Sequence, residues 1–172
     1  MKKISMLACL FLLCAAVVAP ALEVSPLQFA VWGPDVQMCD QTTEIWGIRF
    51  NVPYGVSDSI SGLDLGIWGC AQEANALQLN IVNYAGALKG GQLGIMNVAT
   101  EDVYGGQVAL YNNIKGDGYG FQIGLFNHAR EFSGVQFGFF NRCTAMFGVQ
   151  IGIFNIIDES PIPFFPIVNG AF

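Results

Sequence analysis

Charge is scarce in this chain, and basic charge is scarcest. Only 12% of the 172 residues are charged, with seven basic residues against 13 acidic ones and a single histidine. Nucleic-acid recognition needs a cationic face, and this composition does not supply one. The same shortage removes a polybasic grip on anionic lipid. One histidine, with cysteines at no metal-ligand spacing, leaves no zinc-type ligand set, so no metal is expected. No cofactor is expected either. The Gly-rich stretch Gly116-Asp117-Gly118-Tyr119-Gly120 lacks the Lys-Ser/Thr of a phosphate loop, and the G-x-S-x-G nucleophile elbow is absent. Long apolar runs are missing too. The N-terminal stretch Ile4 to Val18, interrupted by Ser5, is shorter than the roughly 20 residues a membrane-crossing helix needs.

That stretch has the form of an export signal. Lys2 and Lys3 precede it and Ala19-Pro20-Ala21 follows it as a small-x-small cleavage site. Residues 1–21 are therefore expected to be removed, leaving one exported domain over 22–172. A lipobox reading of Leu7-Ala8-Cys9 places the cysteine too early to leave an apolar region before it. Loss of Lys2 and Lys3 leaves five basic residues against 13 acidic ones, a net charge of −8. The exported part keeps Cys39, Cys70 and Cys143. Three thiols allow at most one internal disulfide, and their simplest reading is as small buried apolar residues.

Apolar residues and glycine are what the chain has in quantity, and they fall into a short repeat. Six segments share the order apolar, Gln, apolar, small, apolar, large apolar, Asn: 77–83, 91–97, 106–112, 121–127, 135–141 and 149–155. Their glutamines are Gln78, Gln92, Gln107, Gln122, Gln136 and Gln150, and their asparagines Asn83, Asn97, Asn112, Asn127, Asn141 and Asn155. The step is 14 or 15 residues, and all length variation falls between an Asn and the next Gln. Degenerate copies precede these at 27–33, 48–54 (Arg49 in the Gln position) and 63–69 (Asp64 there). With the proline-broken segment 163–172 they make about ten strand-like units, the signature of a repeat architecture.

Within each copy the apolar residues alternate, as at Val135, Phe137 and Phe139, which is a strand period. β-branched and aromatic residues fill the copies and glycines bound them, so the fold class is all-β. From Ile48 to Ile153, 22 of the 24 first, third and fifth positions are apolar, the others being Gly91 and Gly106. Two architectures fit. In an up-and-down outer-membrane β-barrel of about ten strands, the apolar face meets lipid and the glycines of the other face make room for its aromatics. In a β-solenoid, Gln, Gly and Asn of successive copies stack as ladders. Ala85, Ala99, Ala129 and Cys143, with Leu88, Phe132 and Met146, then line a second inner wall. An open meander or sandwich is the remaining possibility. The barrel is the expectation here, although Pro161, Pro163 and Pro166 spoil its last strand and its connectors are short on both sides. In the solenoid, Phe126, Phe140 and Phe154 would stand in a row toward water, an interaction stripe.

Tandem G-φ-Q-φ-G-φ-x-N segments follow a lead-in of Ile48-Arg49-Phe50-Asn51 and Gly62-Leu63-Asp64-Leu65-Gly66 and precede a proline-rich close ending in Phe172. In these features residues 27–172 resemble the bacterial surface repeat-containing proteins of spirochaetes and other diderm bacteria. The resemblance implies export and a surface or outer-membrane setting. It implies no activity and carries over no catalytic residue.

Nor does the chain's own chemistry suggest catalysis. His128 occupies a position held elsewhere by Tyr84, Val98, Asn113, Arg142 and Ile156, as a rim residue would. Ser133 and Asp117 lie near it in sequence, but a triad is a matter of geometry. Glu101-Asp102, Asp117 and Asp158-Glu159 sit in connectors and lack the ligand spacing of a calcium loop. The expected function is that of a non-enzymatic structural or interaction protein of the outer membrane or cell surface, in contact with lipid or with a protein or glycan partner, and with the connector Gly33–Glu44 as an exposed element. The alternatives are a soluble periplasmic or secreted solenoid that binds through the phenylalanine stripe, and a small-solute pore.

Overall fold

The computed structural model describes residues 23–172, so the export signal and its cleavage site lie outside the described residues. The described chain is all-β and, within these residues, holds no helix. Its elements are β1 (Val24–Trp32), β2 (Val36–Gln37), β3 (Glu44–Leu93), β4 (Met96–Ala99), β5 (Val103–Val108), β6 (Tyr111–Ile157) and β7 (Phe164–Ala171).

Successive copies of the repeat pair parallel and in register. Gly90, Gln92 and Leu93 lie beside Gly105, Gln107 and Val108, which lie beside Gly120, Gln122 and Ile123. Asn83, Asn97 and Asn112 align in the same way through β3, β4 and β6. The degenerate copies join the register, with Gln28 beside Arg49 and Phe29 beside Phe50. Consecutive copies therefore run in the same direction along these pairings. Antiparallel pairing is confined to the two ends. β2, which lies within the connector Gly33–Glu44, folds back on β1, and β7 runs back along the last copy. The prolines do not prevent β7 from pairing, contrary to expectation. Pro166 sits in the irregular stretch between the partners of Gly152 and Asn155, where no ladder donor is required.

Each copy turns one face inward. The Gln and Asn of all six clear copies are fully or almost fully buried, together with Gln28, Arg49 and Asp64. Beyond each Asn, Ala85, Ala99, Ile114, Ala129, Cys143 and Ile157 form an apolar cluster with Leu88, Val103, Phe132 and Met146. Volumes compensate along this cluster. Where the position after Asn holds Ile114 instead of alanine, Gly118 follows, and a Cβ on Gly118 would lie 2.9 Å from Ile114 and 2.5 Å from Phe132.

The first, third and fifth positions face out, as at Leu93, Ile95, Phe137 and Phe139. Simple alternation puts the sixth position inward with Gln, and here the structure departs from it: Phe126 and Phe154 are exposed beside the equally exposed Leu125 and Ile153. The backbone gives the reason. The N–H groups of Leu125 and Phe126 both donate to the carbonyl of Leu110, at 3.1 and 2.9 Å, so two residues oppose one. Such a bulge turns consecutive side chains to the same face and lets the Asn that follows point in.

Glycine is required where the copies abut. Gly90, Gly105, Gly120, Gly134 and Gly148 all have φ between +133° and +145°, and a Cβ on any of them would fall within 2.4 Å of the carbonyl oxygen one copy earlier. Gly120→Ala should therefore lower stability by more than about 2 kcal/mol in urea unfolding, from backbone strain and the collision with Gly105 together. Gly91→Ala has a φ outside that region and meets the flexible end of Leu77 and, at ordinary contact distance, the Gly106 carbonyl, so it should change stability by less than about 1 kcal/mol.

Candidate functional site

Buried side-chain amides are costly unless every donor and acceptor finds a partner. The two amide columns meet most of that demand by stacking, leaving Asn80 Oδ1 and Gln150 Oε1 without a partner. Nε2 of Gln92 donates to Oε1 of Gln78 at 2.8 Å, and the pattern continues from Gln107, Gln122, Gln136 and Gln150 at 2.6 to 2.9 Å. This column donates toward the N-terminal end. The asparagine column runs the opposite way, each Nδ2 donating to the next Oδ1 from Asn83 to Asn155 at 2.8 to 2.9 Å. The second hydrogen of each Asn goes to a backbone carbonyl of the following copy, such as Ile123 for Asn112 and Phe137 for Asn127. The in-strand glycines serve this turn. A Cβ on Gly138 would lie 2.4 Å from the Gly124 carbonyl and 2.5 Å from Nδ2 of Asn127. Those glycines make room for asparagine and backbone, where a barrel lumen would have had them make room for aromatics.

Both columns converge on Asp64. Its carboxylate takes the terminal donation of the glutamine column from Gln78 at 2.9 Å and one hydrogen of Asn80 at 3.1 Å, while Asn80 also donates to Asn83 and so starts the asparagine column. Arg49 binds the same carboxylate through Nε at 2.9 Å and Nη2 at 2.7 Å, and Asn51 donates to it as well. The third guanidinium nitrogen reaches the Cys70 carbonyl at 2.9 Å. The Arg49 and Asp64 side chains are both wholly inaccessible. Asn80 reaches this point because Gly69 has no side chain: a Cβ there would stand 2.4 Å from Asp64 and 2.5 Å from Asn80. The sequence placed Arg49 and Asp64 in the Gln position as separate degenerate copies. Their adjacency in that position, with opposite charge, was the available signal for an ion pair once copies stack in register.

Outside the columns, phenylalanines of successive copies stand in a row. Phe126, Phe140 and Phe154 follow one another at ring-centroid separations of 6.3 and 6.4 Å, and Phe164 of β7 extends the row by another 6.4 Å. The stripe is one edge of a larger wall formed by the first, third, fifth and sixth positions of every copy, none of which is charged. Outward charges lie on the opposite side, after each Asn: Lys115, Arg130, Glu131, Arg142, Asp158 and others.

The titratable candidates scatter over that charged side. Nδ1 of His128 donates to Oδ1 of Asn113 at 3.0 Å, and burial, then Arg142, push its pKa down. Asp117 pairs with Arg130 at 2.6 Å and Asp158 with Arg142 at 3.2 Å. Asp117 and Ser133 share an open notch of about 330 Å³ with Tyr119, Glu131 and Phe147, and His128 does not line it. Among the described residues no group of three or more His, Cys, Asp or Glu is placed to hold a metal. Cys39, Cys70 and Cys143 are unpaired. Comparison with family models, with curated proteins and with solved structures finds no match.

Two outcomes follow from this geometry. Asp64→Gln leaves the Arg49 charge buried without a counter-charge and should cost about 3–5 kcal/mol in urea unfolding, while Arg49→Gln with Asp64→Gln, which removes both charges, should recover much of that loss. Cys143 sits with no exposure and its thiol is pushed up to about 12, by burial first and then by Asp158, against the Gln150 hydrogen bond. At pH 8 only ~10⁻⁴ of it is thiolate, so iodoacetamide should modify the half-exposed Cys39 long before Cys143 in the folded protein, and both at similar rates in urea.

Proposed function

We propose that the chain is an exported, non-catalytic β-solenoid that works as a contact protein, docking through its uncharged outer wall. Support for the solenoid comes from the parallel register, the 14- or 15-residue step and the two amide columns. A further support is length. β3 runs for 50 residues without a break, and a straight strand of that length would reach about 165 Å. The amides and the Ala–Leu–Phe cluster fill the interior, which speaks against a solute pore. Export rests on Lys2, Lys3, the apolar run after them and Ala19-Pro20-Ala21.

The observation that carries the contact role is the distribution of outward residues. A water-soluble sheet face alternates with polar groups, whereas this one presents Leu, Ile, Val, Phe, Trp and Tyr across every copy while the charges gather on the other side. Ten rungs at about 4.8 Å and six residues at about 3.3 Å give a wall of roughly 950 Å². The largest apolar patch of an ordinary monomer is about 300–600 Å², and a larger one marks a binding surface.

Covering of the wall can be read by labelling in the native cell envelope before purification. With Cys39, Cys70 and Cys143 replaced, a cysteine at Leu125→Cys should resist maleimide while one at Glu131→Cys reacts readily. Equal reactivity of the two would contradict a docking role for the wall.

A further inference from the structure

Resting on that reading, we infer that the wall's occupant is a second copy of this chain, packed wall to wall. Size is the first argument. A stable protein–protein interface takes about 800 Å² from each partner, and the wall offers roughly 950 Å² in one continuous face. It is also composed as the centre of a permanent interface is, without charge and rich in Phe, Trp and Tyr.

Charge is the second argument. Among the described residues the outward cations are Lys89, Lys115, Arg130 and Arg142, and the last two are already paired with Asp117 and Asp158. A face that lies on a lipid surface is commonly bordered by Lys and Arg that meet anionic headgroups. Here two free cations, Lys89 and Lys115, are too few to form such a border, and the outward acids, Glu73, Glu101, Asp102, Glu131 and Glu159 among them, lie on the side away from the wall. Two copies meeting wall to wall keep these like charges on the two outer sides, a double wall apart. The third argument is relief. The gaps at Gly91 and Gly106 are filled from neighbouring rungs by Leu77 and Phe121. Its ridges repeat at the inter-strand spacing of about 4.8 Å, which a second copy matches by construction, and sheets packed this way stand about 10 Å apart.

The test is sedimentation equilibrium of the chain exported with its own leader and purified without detergent. The expected mass at micromolar concentration is that of a dimer. Leu125→Glu with Phe139→Glu should convert it to a monomer with an unchanged far-ultraviolet spectrum, and Glu131→Lys on the opposite side should leave the dimer intact. Leu125→Ser with Phe139→Ser carries the same test should the charged pair fail to fold. A dimer that survives the wall substitutions overturns the inference by placing the contact elsewhere. A monomer whose Leu125→Cys variant labels freely, yet which floats with phosphatidylcholine vesicles, also overturns it and makes lipid the occupant, leaving the docking role standing. A monomer that labels freely and ignores vesicles overturns the docking role as well.

Discussion

A buried amide that loses its partners is costly, and the stacking of amide on amide fixes the register of the chain. An apolar interior tolerates a shifted strand at modest cost, because one methyl group packs much like another. The Gln and Asn columns do not. A shift of one residue between Gln107 and Gln122 would set an amide against Ile123 or Phe121 and leave both it and its old partner unpaired in a dry interior. The ladders thus convert a 14- or 15-residue spacing into one alignment, and head-to-tail amides polarise one another along the column.

A head-to-tail column has two ends, and they are finished differently. At the N-terminal end the donors run into Asp64, whose charge is balanced by Arg49 within the same column. A carboxylate can accept the several hydrogen bonds converging there, which a further glutamine could not. At the other end Oε1 of Gln150 has no partner, although Asn169 of β7 lies beside Gln150. β7 closes that end antiparallel, with Pro161, Pro163 and Pro166 in and before it, and so ends the parallel ladder that another copy could otherwise extend. The polar interior and the apolar exterior are linked. The amides inside set the register, and the outward positions carry the apolar residues.

Much of this was legible in the sequence. The Gln-to-Asn spacing identified the strands, and the second inner wall of Ala85, Ala99, Ala129, Cys143, Leu88, Phe132 and Met146 was readable once stacking was supposed. Alternation reports which residues share a face and nothing about whether neighbouring strands run the same way, so connectors of four or five residues suited both barrel and solenoid. Alternation also failed at Phe126 and Phe154, where the shared Leu110 carbonyl seen at the former's copy turns the sixth position out. The Arg49–Asp64 pair was missed because the two residues are 15 apart and touch only in register. Proline was weighed too heavily at β7, whose irregular stretch accommodates it.

The central claim is that consecutive copies lie parallel and in register, and one crosslinking experiment addresses it. With Cys39, Cys70 and Cys143 replaced, cysteines are introduced in two pairs, Gln122→Cys with Gln136→Cys and Gln122→Cys with Asn141→Cys. Parallel register puts Gln122 beside Gln136, which already touch at 2.6 Å, so the first pair should close to a disulfide under mild oxidation and the second should not. A hairpin turning over the connector between Asn127 and Gln136 would set Gln122 opposite Asn141. Closure of the second pair, with the first remaining reduced, would contradict the account.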